Sequence, residues 1–388
     1  MNLFDDIRPY HDDEVRPTIE RLLNDREFLK VIARFRFPKA PEWSLSVIAS
    51  LLKRYLSKQS QPIRSVHDLQ LIVVEGYVRR MLDESTSGLT VSGEDNLDKH
   101  KSHLFISNHR DIVVDPALVN WALYHRGHHT LHIAIGDNLL TKPYVSDLMR
   151  LNKSFIVNRS ATRPREKLQA AKHLSSYIHY ALIEEQANIW IAQREGRAKD
   201  GIDRTNSAVI RMLSLSKPKS VSLTDYIHEL NIVPVSISYE HDPCDIVKAK
   251  ELYQQKVHGK YEKQAHEDAH SIAKGITGSK GRVHVAFGEP LCARYAATDD
   301  IVAELDQKII DNYVLQASNC VAYQELHGTL PAGIVVTDRQ VPFSARDFAN
   351  EIHSFKQHLA DCDASYREFL LSMYANPIVS QYPQMSKA

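Results

Sequence analysis

Short apolar runs alternate with longer amphipathic stretches from residue 89 onward. The runs are too short for helices and are rich in Val, Ile and Phe, which is typical of buried strands. The longer stretches repeat apolar residues at helical spacing. This alternation predicts an α/β fold, a mixed central sheet flanked by helices. The predicted strands are 89–91, 104–107, 131–135, 154–157, 189–192, 232–238 and 283–287, and the predicted helices are 115–126, 138–149, 163–186, 205–216 and 297–317.

The chain before residue 84 has a helical pattern throughout, which predicts an N-terminal helical subdomain. Breaks are expected near Arg16–Pro17, 38–41 and 59–62. Six polar or small residues at 83–88 separate this part from the α/β part, and two helices, 344–360 and 362–375, end the pattern. We therefore predict three segments: a helical subdomain at 1–85, an α/β domain at 86–325 and a C-terminal helical extension at 326–388.

One N-terminal helix combines an apolar face with basic neighbours. A basic-aromatic stretch, 34–39, precedes it. A helix of this kind can lie on a membrane surface, but packing against the rest of the protein explains the apolar face as well and is the favoured interpretation. The residues of the face are Trp43, Val47, Ile48, Leu51, Leu52, Tyr55 and Leu56.

Composition excludes several classes of protein. Lys plus Arg equals Asp plus Glu at 48 each, so no global field draws the chain to nucleic acid. Four widely spaced cysteines indicate a reducing compartment and neither a disulfide framework nor a zinc site. The acidic first residues lack the apolar core of a signal peptide, and no apolar run is long enough to span a bilayer. We expect a cytoplasmic protein that is peripheral to the inner face of the membrane.

A histidine follows one of the predicted strands. His109 comes two residues after Ser107, the end of a predicted strand, and Asp115-Pro116 then reads as a helix start, with Asp115 as N-cap. Ligands of open α/β sheets bind at the carboxyl ends of strands. A neutral imidazole can act as a base there if a carboxylate fixes its tautomer, and Asp115 or Asp111 can supply that carboxylate. The catalytic candidates are therefore His109, Asp115 and Asp111.

Three further strand ends carry polar side chains. Arg159 ends one strand, the turn Glu195-Gly196-Arg197-Ala198-Lys199 follows another, and Tyr239 ends a third. Arginine and lysine side chains at such a rim suit a phosphate group. The candidate substrate-binding residues are Arg159, Glu195, Gly196, Arg197 and Lys199. The glycine-rich segment 275–281 lacks the order of a phosphate-binding loop and is expected to be a flexible loop.

Together these blocks resemble the glycerolipid acyltransferases, a family that includes glycerol-3-phosphate and lysophosphatidate acyltransferases. The block Asn-His-x-Ser-x-x-Asp of that family resembles 108–115, although five residues separate His109 from Asp115 here and Asp111 stands at the serine position. The segments 155–159, 195–199 and 234–239 resemble the second, third and fourth blocks. The resemblance covers about residues 89 to 292, and similarities at 250–263 and 285–290 favour its glycerol-3-phosphate branch.

The resemblance implies an O-acyltransferase. It would move a fatty acyl group from acyl-CoA or acyl carrier protein to a hydroxyl of glycerol-3-phosphate or 1-acylglycerol-3-phosphate in phospholipid biosynthesis. We expect no metal and no cofactor beyond the acyl donor. We expect a peripheral contact with a membrane surface. No Gly-x-Ser-x-Gly motif is present, so direct attack without an acyl-enzyme is the simpler route. Two alternatives are an acyltransferase for another lysolipid or amino-acid lipid, and a non-catalytic lipid-binding relative.

Overall fold

The computed structural model describes residues 3–264 and 267–383; the ends of the predicted segments 1–85 and 326–388 at residues 1–2 and 384–388 lie outside them. The helices are α1 Asp12–Asn24, α2 Arg26–Arg36, α3 Glu42–Gln59, α4 Val66–Leu69, α5 Glu75–Ser85, α6 Val114–His125, α7 Pro143–Leu151, α8 Pro164–Ile183, α9 Ser207–Leu213, α10 Leu223–Leu230, α11 Asp245–His258, α12 Glu267–Thr277, α13 Thr298–Asp311, α14 Ala317–His327, α15 Ala349–Ala360 and α16 Arg367–Gln381. The strands are β1 Gly88–Ser92, β2 Leu104–Ser107, β3 His132–Gly136, β4 Ser154–Val157, β5 Ile189–Ala192, β6 Ile232–Tyr239, β7 Arg282–Phe287, β8 Val335–Val336 and β9 Val341–Pro342.

Two compact units divide the chain: Met1–Val78 with His132–Tyr177, and Arg79–Leu131 with Ile178–Ala388. Each unit takes residues from both sides of the boundary predicted at 85, because β3, α7, β4 and most of α8 group with the N-terminal helices. The limits of the three predicted segments remain predictions.

The second unit contains a mixed sheet. Its strands lie in the order β1-β7-β6-β2-β5, and every neighbouring pair is parallel except β6 and β7. All residues of β2 and β6 are buried, as expected of strands that are covered on both faces. Helix α13 packs on β6 and α6 on β7. The predicted fold class, a mixed sheet flanked by helices, is confirmed.

The C-terminal helices have a core of their own in this unit. Helix α16 packs against α11 and α14, and α15 packs against α14. Phe355, Leu370 and Ile378 are fully buried in the apolar cluster that these helices share. Helix α16 is therefore packed into the core of the second unit.

The first unit is mainly helical. Helices α1, α2 and α3 bury one apolar cluster, which includes Val15, Phe28 and Leu45, and β3 pairs with β4 in parallel. The helical N-terminal part predicted from the sequence is confirmed, with breaks between α2 and α3 and after α3.

Several predicted helix limits are wrong. Pro17 lies inside α1 and does not break it. Asp13, whose carbonyl lies one turn before Pro17 and lacks its N–H partner, is an exposed residue that water can reach. The helix predicted at 138–149 begins only at Pro143, which occupies its first turn. The helix predicted at 297–317 ends at Asp311, and a separate helix, α14, begins at Ala317.

The apolar face predicted on α3 divides into two rows. Leu45 and Ala49 are buried in the N-terminal cluster, and Ile48, Leu52 and Leu56 pack against it. The second row points to solvent: Trp43 is 81% exposed, and Val47, Leu51 and Tyr55 follow at intervals of one helical turn with about the same exposure as each other. Core packing therefore accounts for only half of the pattern. None of the helices in the described ranges is long and apolar enough to cross a bilayer.

Candidate active site

The carboxyl end of β2 carries the candidate base. Strand β2 pairs with β5 on one side and β6 on the other, so the loop that follows it leaves the middle of the sheet. Asn108 fixes the start of this loop, because its side chain accepts from Ile237 N–H at 2.8 Å and donates to Ile237 C=O at 3.0 Å. The His109 ring then meets the Trp190 ring edge-to-face at 5.6 Å between centroids. The histidine is held on the sheet rather than on a free loop.

Asp115 is the carboxylate that contacts His109. Its Oδ2 lies 2.9 Å from His109 Nδ1 and accepts the Arg110 and Asp111 N–H groups at 2.6 and 2.9 Å. The Tyr239 hydroxyl donates to Oδ1 at 2.6 Å. The longer spacing between His109 and Asp115 therefore does not prevent their contact.

These donors decide the ionisation of Asp115. Burial alone would raise its pKa, but hydrogen bonds from His109, Tyr239 and the Asp111 N–H outweigh burial and lower it. Burial and the Asp115 charge raise the pKa of Tyr239 well above its ordinary value, so its hydroxyl keeps the proton that it donates. An ionised carboxylate can only accept, so Nδ1 of His109 carries the ring proton and Nε2 holds the lone pair in the neutral ring. No hydrogen bond within the described residues engages Nε2.

The Asp111 side chain bonds to main-chain N–H groups and not to His109. Its Oδ1 accepts the Val113 and Val114 N–H groups at 3.0 and 2.8 Å, where α6 begins. The prediction that Asp115 is the N-cap is therefore wrong, because α6 begins at Val114. The Asp115 carboxylate instead accepts the Arg110 and Asp111 N–H groups of the preceding loop. Burial, and then the charge of Asp115, raise the pKa of Asp111.

The turn after β5 is bonded to the histidine loop. Ala198 N–H donates to His109 C=O at 2.7 Å. Gly196 has φ +75°, a backbone angle that side chains other than glycine rarely adopt, and it is exposed together with Glu195. This bond brings the predicted turn beside His109.

The two cations of the turn have different surroundings. Arg197 Nη2 donates to Ser271 Oγ at 3.3 Å, whereas its buried Nη1 has no hydrogen-bond partner in the described part of the chain. Lys199 forms an ion pair with Glu251 of α11. An incoming anion could therefore bond to Arg197 Nη1 without displacing a carboxylate, whereas at Lys199 it would have to displace Glu251.

Arg159 belongs to the first compact unit, whereas the other candidates belong to the second. Its N–H donates to Asp137 Oδ1 at 3.0 Å in the loop after β4. Its predicted contact with the substrate phosphate remains a prediction.

A buried polar frame behind His109 was not predicted from the sequence. Arg110 donates to Asp203 at 2.6 Å, and Asn108 donates to the same carboxylate oxygen at 3.2 Å. Lys248 donates to the Arg110 carbonyl at 2.7 Å. These partners are about 90 to 140 residues apart in the chain, so no local spacing could reveal them. The glycine-rich segment 275–281, predicted to be a loop, begins inside α12, and its buried Lys280 donates to the Ile276 and Gly278 carbonyls. Its predicted flexibility remains a prediction.

A histidine whose tautomer is fixed by a buried carboxylate can accept a proton at Nε2 and return it later, and the carboxylate stabilises the imidazolium formed in between. Among the described residues, no group of three or more histidine, cysteine, aspartate or glutamate side chains is placed to hold a metal ion. The fold and this pair define an α/β domain that holds a histidine–aspartate pair at the carboxyl end of a central strand, β2.

Comparison with known proteins gives this domain a family. Residues 88–238 match the family model described as Acyltransferase. This segment is an acyltransferase domain, and the resemblance seen in its four blocks is confirmed. No curated protein matches the chain. A solved structure, the 1-acyl-sn-glycerophosphate (LPA) acyltransferase PlsC from Thermotoga maritima, is similar to it at 14% identity over 74% of this chain and 95% of that chain, with a TM-score of 0.37.

Proposed function

We propose that the protein transfers a fatty acyl group from a thioester of coenzyme A or acyl carrier protein to a hydroxyl of glycerol-3-phosphate or its 1-acyl form. The observation that carries the proposal is the His109–Asp115 contact of 2.9 Å inside a domain of the acyltransferase family. The block resemblance at 108–115 and 195–199 supports the glycerolipid class of acceptor.

The proposed reaction uses both ring nitrogens of His109. The acceptor hydroxyl gives its proton to His109 Nε2 as its oxygen bonds to the thioester carbonyl carbon, which leaves a tetrahedral oxyanion. Asp115 stabilises the imidazolium through Nδ1. Collapse of the oxyanion breaks the carbon–sulfur bond, and the leaving thiolate takes the proton from Nε2. Donor and acceptor thus react directly, and His109 ends neutral.

Arg197 supports a phosphorylated acceptor. A buried guanidinium N–H without an acceptor is costly, and a phosphate oxygen would satisfy it. Lys199 could join only by exchanging Glu251 for the phosphate. Glu195 and Gly196 complete the proposed binding turn.

A membrane surface is the proposed place of reaction, since the acyl chain of the product is insoluble in water. The exposed row of Trp43, Val47, Leu51 and Tyr55 on α3 supports contact with a bilayer. The basic residues Arg36 and Lys39 nearby suit anionic headgroups, and Arg34 could join them only by leaving its ion pair with Glu42. The contact would be reversible and peripheral.

Product identification tests the proposal. Purified protein is incubated with acyl-CoA or acyl carrier protein and a panel of acceptors with and without phosphate, and products are identified by mass spectrometry. We expect acylated glycerol phosphates, with kcat lowered by roughly 10²–10⁴ in His109→Ala and Asp115→Asn. Arg197→Ala should raise the KM of phosphorylated acceptors only, and the exposed His67→Ala should leave all constants unchanged.

Three results would contradict the proposal in different ways. Products only from lysolipids without a terminal phosphate would indicate another acyltransferase. Binding without turnover would indicate a lipid-binding relative. A folded His109→Ala variant with kcat near that of wild type would remove the histidine from the mechanism.

A further inference from the structure

Lys248 holds the main chain beside the candidate base. It lies in α11 and is 1% exposed, and its ammonium donates to the Arg110 carbonyl at 2.7 Å and forms an ion pair with Asp242. The same Arg110 residue donates its N–H to Asp115 at 2.6 Å. A buried ammonium is tolerated only with such partners, so its position is tightly defined. One residue therefore separates Lys248 from the carboxylate that orients His109.

Tyr374 of α16 links Lys248 to the C-terminal helices. The Asp242 N–H donates to the Tyr374 hydroxyl at 2.8 Å, and this hydroxyl donates to Asp245 Oδ2 at 2.7 Å. His358 of α15 contacts the same Asp245 oxygen through Nε2 at 2.6 Å. Burial, and then the charges of Asp245 and Asp242, raise the pKa of Tyr374 well above its ordinary value, so the hydroxyl stays protonated. A continuous line of polar contacts thus runs from α15 to the loop of His109.

The second connection reaches the substrate-binding turn. Asn376 of α16 donates to the Asp200 carbonyl at 2.6 Å. Gly201 has φ +75°, and a Cβ there would lie 2.0 Å from the Met373 carbonyl oxygen, so only glycine permits the close approach of the turn to α16. Helix α16 therefore contacts both the turn that bears Arg197 and the residues that hold the histidine loop.

We propose that the C-terminal helices α15 and α16 set the geometry of the active site, with Tyr374 and Lys248 as positioning residues that act on His109 through Asp242 and the Arg110 carbonyl. This inference rests on the proposed function for its catalytic consequence. Both side chains are buried, and their hydrogen bonds go to Arg110, Asp242 and Asp245. Losing the Tyr374 hydroxyl leaves the Asp242 N–H without this acceptor. Asp242 and the Lys248 ammonium paired with it can then shift, which relaxes the loop that aligns His109 with Asp115.

Tyr374→Phe is the decisive variant, and Tyr323→Phe, a buried tyrosine of α14 in the same apolar cluster, is its matched control. Tyr374→Phe should lower kcat by about tenfold, within the roughly 10²-fold loss that follows a displacement of a reacting group by about 1 Å. The KM of donor and acceptor should stay within about twofold, because the contacts to substrate are kept. Lys248→Met should lower kcat further. If that variant does not fold, Tyr374→Phe decides alone.

The second readout does not need turnover. In ¹⁵N-histidine-labelled protein, the His109 imidazole signal among twenty histidines is assigned by its loss in His109→Ala. We expect this signal to shift in Tyr374→Phe and to stay in place in Tyr323→Phe. A shift in a protein that acylates no acceptor would support the positioning role and contradict the proposed function. An unchanged kcat and an unchanged His109 signal in folded Tyr374→Phe would overturn the inference, as would a change confined to KM.

Discussion

Asp115 and Asp111 are buried four positions apart, yet their environments act on them in opposite ways. Asp115 collects hydrogen bonds from a side-chain imidazole, a phenol and two N–H groups, and these outweigh burial. Asp111 receives two N–H groups on one oxygen, and burial beside the charged Asp115 prevails. The sequence left both residues open as partners of His109. Tyr239 favours Asp115 as the partner, because its hydroxyl donates to that carboxylate. Tyr239 ends the fourth block of the sequence, but 124 positions separate it from Asp115, so no local pattern shows the contact.

The raised pKa of Asp111 predicts a stability that changes with pH. The folded state binds this proton more tightly than the unfolded state, so the contribution is fully present below the unfolded pKa of about 3.9 and is lost as the pH rises through the folded pKa. The asparagine side chain of the Asp111→Asn variant would stay neutral and keep an acceptor for the Val113 and Val114 N–H groups. We therefore expect the Tm of Asp111→Asn relative to wild type to become more positive as pH rises from 4 to 7.

In the control variant, the relative Tm should change with pH in the opposite direction. Asp68 caps α4, and hydrogen bonds from the Arg64 N–H and Ser65 lower its pKa. Its contribution is present above the unfolded pKa and lost on acidification, so the relative Tm of Asp68→Asn should become more negative as pH rises. Parallel Tm curves for Asp111→Asn and wild type would mean that Asp111 ionises normally.

At the scale of elements, the strands were predictable and many helix limits were not. Each of the seven predicted strands is present with both ends within one residue, because each is a short run of strand-forming residues bounded by turns. The hairpin of β8 and β9 was missed, since two-residue strands have no periodicity. Helix α14 was also missed, because it is buried on most sides and lacks an amphipathic pattern.

Helix α12 depends on one glycine for its place against the histidine loop. A Cβ at Gly275 would lie 2.0 Å from Asp111 Oδ2, which fills the space beside the helix. Gly275→Ala should therefore lower the free energy of unfolding by about 1–3 kcal/mol through overpacking, and should lower kcat because Asp111 belongs to the loop of His109, the proposed base. Thermal unfolding and initial rates measure the two effects.

Gly76→Ala is the matched control, because Gly76 lies in α5 and a Cβ there would meet no atom within 4 Å. This variant should be unchanged or more stable by up to about 1 kcal/mol, since alanine is the better helix former. Equal stability of the two alanine variants would show that α12 can move away from Asp111 without cost.

The whole molecule has a formal net charge of zero, so attraction to a membrane must come from local surfaces. We expect wild type to float with anionic vesicles and less with neutral ones, with added salt weakening the anionic preference. Trp43→Ser/Leu51→Ser should lower vesicle affinity by at least about tenfold, because each side chain loses apolar burial worth about 1.5–3 kcal/mol.

Leu168→Ser/Leu215→Ser removes two other exposed apolar side chains and serves as the control for flotation. It should bind as wild type does. If wild type stays unbound with both lipids, or if both double variants lose binding equally, the exposed row of α3 is not the membrane contact.

The edge-to-face contact between Trp190 and His109 also gives the protein an optical signal. Of the three tryptophans, Trp190 is 3% exposed beside the candidate base and Trp43 is 81% exposed on α3, so their indoles emit from contrasting surroundings. Indole emission responds to neighbouring charge and to the polarity around the ring. With Trp121 replaced by phenylalanine, ligand arrival at His109 and transfer of α3 into lipid can be followed as two separate changes of intrinsic fluorescence, without any added label.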